Sequence, residues 1–112
     1  MELNGEKMDN AMVVTVKGRL DTVTAPDFER QCSAWIDQGE ISLLVDLNQL
    51  DYVSSAGLRT ILVVSKKLKH KGGRMCFCGA RDMVLRVLSL ANFTSLFPVY
   101  DSFEEALTQW CR

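Results

Sequence analysis

The sequence lacks the features that would place the protein in a membrane or direct it out of the cell. No stretch approaches the roughly 18 consecutive apolar residues that identify a membrane-spanning helix. The segment Met1–Glu6 has neither a basic start nor an apolar run, so it does not resemble a secretory signal. We therefore expect a cytoplasmic protein without membrane insertion.

An excess of charge of either sign is also missing. Thirteen Lys and Arg residues face 14 Asp and Glu residues, which leaves a net charge of −1. This balance gives no electrostatic reason to expect nucleic acid as a direct partner. The 112 residues are 47% hydrophobic and 24% charged, contain no repeat or linker, and can bury one core. We expect residues 1–112 to form a single domain.

Histidine is almost absent, and the cysteines are not spaced like metal ligands. His70 is the sole histidine, and Cys76 and Cys78 are too close in sequence for a zinc knuckle. Because no secretory signal is expected, Cys32 and Cys111 with the other two cysteines are predicted to be reduced, buried thiols. We expect no metal site and no cofactor.

The pattern of apolar residues predicts a hairpin followed by alternating helices and strands. That order favours an α/β fold in which a small mixed, mostly parallel sheet has helices packed on it. The predicted strands are 3–8, 12–17, 42–47, 75–78 and an edge strand over 97–100, and the predicted loops are 18–23 and 48–55. The first predicted helix lies between Thr24 and Gly39, and the second follows the loop 48–55 and ends at Gly72-Gly73. The third covers 84–88 and is followed by a left-handed Asn92, and the last runs from a cap at Ser102 to Trp110.

Two adjacent serines stand where a predicted strand gives way to a helix. Such a position is solvent-facing and rich in unpaired backbone N–H groups. Ser54 or Ser55 could cap the helix, or a hydroxyl could be exposed as a nucleophile or phosphoacceptor. His70 lies fifteen residues beyond Ser55 on the same helix and cannot serve as its base, and no G-x-S-x-G element is present. Hydrolysis by this serine is poorly supported, whereas modification by another enzyme remains open.

Three aspartates flank the predicted strand ends near the serines. Asp21, Asp46 and Asp51 could be turn-forming or solvated acids. Near the serines they would also make a second negative charge costly. Their spacing is not that of a metal-binding loop, and a general acid and base pair has no specific support.

The helix after the serines has more apolar residues than one buried stripe requires. Arg59 and Val63 lie off that stripe, so this side of the helix provides either extra core contact or a docking patch beside Ser55. The predicted stripe itself consists of Leu58, Ile61, Leu62, Ser65 and Leu68.

Three segments together resemble a known family. The segments 18–21 (Gly-Arg-Leu-Asp), 45–47 (Val-Asp-Leu) and 53–58 (Val-Ser-Ser-Ala-Gly-Leu) are similar to those of the bacterial anti-sigma-factor antagonists, the STAS domain. The resemblance runs from about Val13 to Trp110. It implies a STAS-like fold and a protein-interaction switch in transcription regulation, with no catalytic residues of its own.

The resemblance also implies partners and site residues. The unmodified form would bind an anti-sigma factor that is also a serine kinase, and so free a sigma factor. Phosphorylation would end the complex, and a metal-dependent phosphatase would reset this partner switching. The phosphoacceptor carries over to Ser55, with Ser54 as the alternative, although many members have Asp before the phosphoserine. The implied partner-binding residues are Asp21, Asp46, Ser54, Ser55, Gly57, Arg59 and Val63. The competing hypothesis is a STAS scaffold module in a signalling or transport complex that is not phosphorylated.

Overall fold

The computed structural model describes residues 1–111, and after a hairpin its helices and strands alternate as predicted except at one added strand and one added helix. The strands are β1 (Glu2–Met8), β2 (Ala11–Leu20), β3 (Ser42–Asp46), β4 (Leu50–Val53), β5 (Arg74–Cys78) and β6 (Val99–Tyr100). The helices are α1 (Ala25–Asp37), α2 (Ser55–His70), α3 (Asp82–Leu90), α4 (Phe93–Leu96) and α5 (Phe103–Gln109).

The strands form one mixed sheet in the order β1-β2-β3-β5-β6, and β4 pairs with the end of β2 outside that path. β1 runs antiparallel to β2, and every other pairing is parallel. The middle residues of β3 and β5 are buried because helices cover both faces of the sheet. The predicted α/β fold is confirmed.

The two faces of the sheet bury different helices. Successive side chains of a strand point to opposite faces, so Leu44 and Val45 belong to different layers of the core. Val45 packs in the larger cluster with residues of α1 and α2, such as Phe28 and Ile61. Leu44 packs with Trp110 and the α5 residue Ala106 in a smaller cluster. The side of the sheet on which a strand residue lies therefore decides which helix it can meet.

Helix α2 is rotated relative to its predicted orientation. Leu58 and Leu62 are only partly buried. The cause lies in the first turn, where a Cβ on residue 57 would lie 2.6 Å from the carbonyl oxygen of Leu20. The helix can approach β2 this closely only with glycine at that point, and this contact sets which residues face the core. The buried residues of α2 are Gly57, Thr60, Ile61, Val64 and Leu68.

Both predicted loops around the serines contain strand residues. The segment 18–23 was expected to be a loop, but Gly18–Leu20 completes β2. The segment 48–55 contains β4, which pairs in parallel with that extension of β2. The two stretches are short and have a register irregularity between Gly18 and Arg19. Gly18–Leu20 and β4 are strands only because they pair with each other, and local sequence patterns do not reveal that pairing.

The carboxyl-terminal part of the chain follows the prediction with one addition. Asn92 has the predicted left-handed conformation, with φ 66°, but it leads into a short helix, α4, that was not predicted. The last strand is confined to Val99–Tyr100 and lies at the sheet edge as expected. Ser102 caps α5 by accepting a hydrogen bond from the backbone N–H of Glu105 at 3.1 Å.

Candidate functional site

The serines lie where the ends of β2 and β4 support the start of α2. Leu20 pairs with Val53 at the last position of both strands. The backbone N–H of Ser54 then donates to the carbonyl of Leu20 at 3.0 Å. Gly57 packs against the same carbonyl, so the first turn of α2 rests directly on the end of β2. The helix entrance is therefore held by backbone contacts on both sides of Ser54.

The two serines have different roles in the structure. Ser54 has an extended backbone, with φ −97° and ψ 174°, and its Oγ accepts a hydrogen bond from the N–H of Gly57 at 3.1 Å. It is the N-cap of α2 and is half-buried. Ser55 is the first residue of the helix and is exposed. Its hydroxyl has no hydrogen-bond partner within residues 1–111. The cap is therefore Ser54, and the exposed hydroxyl is that of Ser55.

Asp21 closes the turn that leads from β2 into α1. Its Oδ1 accepts hydrogen bonds from the backbone N–H groups of Val23 at 3.0 Å and Thr24 at 3.1 Å. The bond from the Thr24 N–H, with those from Val23 and the Thr24 hydroxyl, holds the pKa of the Asp21 carboxyl below its usual value. The turn-forming interpretation of Asp21 is confirmed. Thr24 precedes α1 as predicted, but its hydroxyl donates to the carbonyl of Arg19 at 2.9 Å and does not cap the helix.

Helices α1 and α2 begin at the same end of the molecule. They pack side by side, and Asp37 at the end of α1 forms an ion pair of 3.0 Å with Lys67 near the end of α2. The turn at Asp21 is therefore a neighbour of Ser55. We call this region, which comprises residues 21–24, Ser54 and Ser55, the serine surface.

The exposed side of α2 continues from the serine surface. Arg59 and Val63 lie one and two turns beyond Ser55, and both are exposed, Val63 by 42%. Thr60 and Val64, which also lay off the predicted stripe, are buried and supply the extra core contact. The extra core contact thus comes from Thr60 and Val64, whereas Arg59 and Val63 remain accessible to solvent.

Two predicted partner-binding residues lie outside the exposed surface around Ser55. Gly57 is buried and has no side chain that could contact a partner. Its glycine backbone allows α2 to approach β2 closely. Asp46 lies on the same side of β3 as Leu44, the side covered by α5 and opposite to α2. It lines a cavity of about 320 Å³ with Ser102 and Glu104. The Asp46 Oδ1 accepts a hydrogen bond from the N–H of Asn48 at 3.0 Å, so Asp46 contacts the first residue of the segment 48–55 as expected, although its side chain lies on the face of the sheet opposite to α2.

Three residues around this region were not singled out from the sequence. Val23, at the tip of the turn, is 84% exposed. Arg19 stacks its guanidinium 4.2 Å from the ring centre of Tyr52 and reaches Asp21 with an N–O distance of 3.5 Å. The stack joins the ends of β2 and β4. Local sequence patterns predict loops for both segments and therefore give no sign of this stack.

The arrangement contains no base for Ser55 on its own helix. His70 is the last residue of α2, about 22 Å along the axis from Ser55 at about 1.5 Å per residue. Across residues 1–111, no group of three or more His, Cys, Asp and Glu side chains is placed to hold a metal ion. In the same part of the chain, none of the helices combines the length and apolar character needed to cross a bilayer.

The cysteines are buried and unpaired in the structure, as predicted. Burial raises the pKa of both Cys32 and Cys78 to about 12. It raises the pKa of Cys76 further, with smaller contributions from Cys78 and Cys111. Thiols with such pKa values stay protonated near neutral pH and act as small apolar side chains.

Comparison with known proteins gives a consistent result. Residues 2–106 match the family model of the STAS domain. A protein of Bordetella bronchiseptica, BtrV, assigned as an anti-sigma factor antagonist, is 36% identical over 106 residues, which are 95% of this chain and 91% of that protein. The crystal structure of an anti-sigma factor antagonist from Mycobacterium paratuberculosis has a TM-score of 0.85 at 30% identity and covers 96% of this chain and 91% of its own.

A third similar protein has been solved in two states. The Bacillus cell-fate determinant SpoIIAA, an anti-sigma factor antagonist, has a TM-score of 0.72 in its unphosphorylated form and 0.74 in its phosphorylated form. Both structures are 18% identical to this chain and cover 96% of it, and the match spans 94% and 98% of the two SpoIIAA chains respectively. At this identity the likeness is one of fold alone.

Proposed function

The chain belongs to the STAS domain family, and from this premise we propose that it is an anti-sigma-factor antagonist that is switched off by phosphorylation of Ser55. The bare form binds an anti-sigma factor that is also a serine kinase, which releases a sigma factor. A metal-dependent phosphatase restores the bare form. The observation that carries the proposal is the exposed, unpartnered hydroxyl of Ser55 at the start of α2. The chain itself catalyses no reaction in this scheme.

Ser55 is a better phosphoacceptor than Ser54 because of what each hydroxyl already does. Esterifying Ser54 would disturb a cap that contributes about 1 kcal/mol to helix stability. A phosphate on Ser55 would instead lie beside the positive end of the helix dipole, a position that favours a negative charge by about 0.3 to 1 kcal/mol. Many family members have Asp where this chain has Ser54. Asp and Ser are equally good N-caps, so the exchange keeps the cap and leaves the acceptor at Ser55.

The same charge has the opposite effect on a bound partner. A phosphoserine adds about −1.5 to −2 charges at neutral pH. Within a docked interface this charge loses water or meets like charge, and such mismatches cost several kcal/mol. A cost of about 3 kcal/mol weakens binding roughly a hundredfold. The loss in the complex outweighs the small gain within the domain, so the switch works without unfolding the protein.

The surface that contacts the partner combines the serine surface with the exposed side of α2. We include Asp21, Ser54 and Ser55 together with Arg59 and Val63, because these residues are accessible or half-accessible on one connected region. Charged Arg59 would orient the partner, and exposed Val63 would provide apolar contact area. We leave Gly57 out of this interface because it is buried, and Asp46 because its side chain lies on the face of the sheet opposite to α2.

The decisive experiment uses the purified chain, a kinase-type anti-sigma factor from the same organism, and ATP. Mass spectrometry should locate one phosphate on Ser55, and calorimetry should show at least about hundredfold weaker binding of the modified chain. Ser55→Ala should bind normally and remain unlabelled. Full labelling of this variant would transfer the acceptor role to Ser54. Normal binding without any phosphorylation would identify a scaffold module.

A charge-mimicking variant separates the switch from folding. Ser55→Asp should weaken partner binding in part, because one carboxylate carries less charge than a phosphate, while the melting temperature stays nearly unchanged. Ser55→Asn is the matched neutral control and should bind like the wild type. A large fall in melting temperature for Ser55→Asp would mean that the residue has mainly a structural role.

A further inference from the structure

A groove of about 390 Å³ lies at the opposite end of α2 from the serine surface. It separates the last turns of α2 from the segment Leu96–Pro98. The groove exists because β6 is only two residues long and pairs with Phe77 and Cys78 alone. The first residues of β5 consequently have no strand beside them on this side, and Met75 forms part of the groove floor.

The walls of the groove are largely apolar and held in place by the core. Leu96 is 60% exposed and forms part of the wall opposite α2. Phe97 beside it packs edge-on against Phe77, with 5.2 Å between the ring centres. The wall is therefore anchored and does not depend on a ligand for its position. The apolar residues that line the groove are Leu62, Leu68, Met75, Leu96, Phe97 and Pro98.

Positive charge borders this apolar surface, and within residues 1–111 no Asp or Glu side chain lines it. Lys66 and Lys69 contribute to the lining from α2, and neither has a carboxylate within ion-pairing distance among residues 1–111. Their neighbour Lys67 differs, because it pairs with Asp37 at 3.0 Å. Arg74 also touches the groove, but its guanidinium stacks on Trp110 and donates to the Trp110 carbonyl at 3.0 Å. Two lysine ammonium groups are left to receive an anion.

We propose that this groove binds a free fatty acid of medium chain length. The alkyl chain lies along Leu62, Met75 and Leu96, and the carboxylate lies between the ammonium groups of Lys66 and Lys69. The volume falls in the range of small-molecule sites, about 300 to 1,000 Å³. A protein partner would need about 800 Å² of contact surface, far more than the groove offers. The combination of an apolar cleft and unpaired cations matches the two parts of an amphiphilic anion.

The fatty-acid site is separate from the phosphorylation switch. Lys66 follows Ser55 by eleven residues, so the two lie about 16 Å apart along α2 at about 1.5 Å per residue. Ser55 and the groove can therefore be tested independently, and the failure of one proposal leaves the other standing.

The first test is a titration of the isotope-labelled full chain with octanoate, decanoate and dodecanoate, each below its micelle concentration, followed by NMR. Backbone signals of Met75 and Leu96 should shift, while those of Ser55 stay unchanged. Each added methylene that enters the groove should tighten binding by up to about fourfold. Decanol, which has the same chain length as decanoate without the charge, should bind at least about tenfold more weakly than decanoate. Shifts spread over the whole surface, or equal binding of decanol, would refute the proposal.

Matched variants test the two halves of the site. The double variant K66E/K69E should lose dodecanoate binding by about tenfold or more, whereas Lys71→Glu, an exposed lysine outside the groove lining, should change little. Leu96→Asp should weaken binding, and Leu90→Asp, exposed by 81% outside the groove, should not. If K66E/K69E instead weakens binding of the anti-sigma factor and leaves dodecanoate binding intact, the groove is a protein-docking surface and the proposal is wrong.

Discussion

Replacing Gly57 by alanine tests the contact that positions α2 and its serines. A Cβ at this residue would lie 2.6 Å from the carbonyl oxygen of Leu20, 3.0 Å from Leu20 Cγ and 3.1 Å from Val53 Cγ2. The first of these contacts is too short for any real Cβ, and its partner is a backbone atom that cannot turn aside. The end of β2 is held by its pairing with β4, so the amino end of α2 must move outward.

The magnitude follows from two opposing effects. Overpacking of this kind costs about 1 to 3 kcal/mol. Alanine gains back up to about 1 kcal/mol over glycine through its higher helix propensity, and less than that in the first turn. The net loss of unfolding free energy is then about 1 to 2 kcal/mol. For a domain of about this size, each kcal/mol corresponds to about 4 to 8 °C, so the melting temperature should fall by about 5 to 15 °C.

Thermal unfolding followed by circular dichroism provides the measurement. The matched control is Ala56→Gly, which makes the reverse exchange at the neighbouring position and should cost no more than about 1 kcal/mol through propensity alone. If Gly57→Ala melts at or above the wild-type temperature, α2 does not rest on β2 as described. Since Gly57 is buried, partner binding of the folded variant should change only through the displacement of Ser55.

Three further predictions concern the cap, the turn and the thiols. Ser54→Ala should lose about 1 kcal/mol of stability by denaturant unfolding, and Ser54→Asp should keep it because aspartate also caps; equal losses would refute the capping role. The Asp21 carboxyl has a folded pKa below its unfolded value of about 3.9, so its stabilising contribution is complete above that pH and is lost as the pH falls through the folded pKa. Melting temperatures from pH 6 to pH 2 should therefore fall less steeply for Asp21→Asn, which keeps an acceptor oxygen, and parallel curves would contradict this. Cys32 and Cys78 should resist a thiol reagent at pH 8 in the native protein and react once it is unfolded; rapid native labelling would show that they are not buried.

Much of the framework could be predicted from local patterns. The hairpin, the alternation of helices and strands, the end of α2 at the two glycines and the cap at Ser102 each depend on residues close in sequence. The elements that were missed have a different character. β4 and the extension of β2 are short stretches that become strands only through pairing with each other. The helix α4 has four residues, too few for a periodic signal.

The sequence by itself determined the family, the element order and the presence of two serines at a helix entrance, because those features reside in neighbouring residues. Only the tertiary structure decided which serine is free. Ser54 is held by Gly57 and Leu20, which leaves Ser55 exposed. The structure also decided that Asp46 faces α5. Strand alternation shows which residues share a face, but which helix covers that face depends on how the sheet and helices assemble. Which residues share a surface depends on contacts between distant parts of the chain, and those contacts are absent from any local pattern.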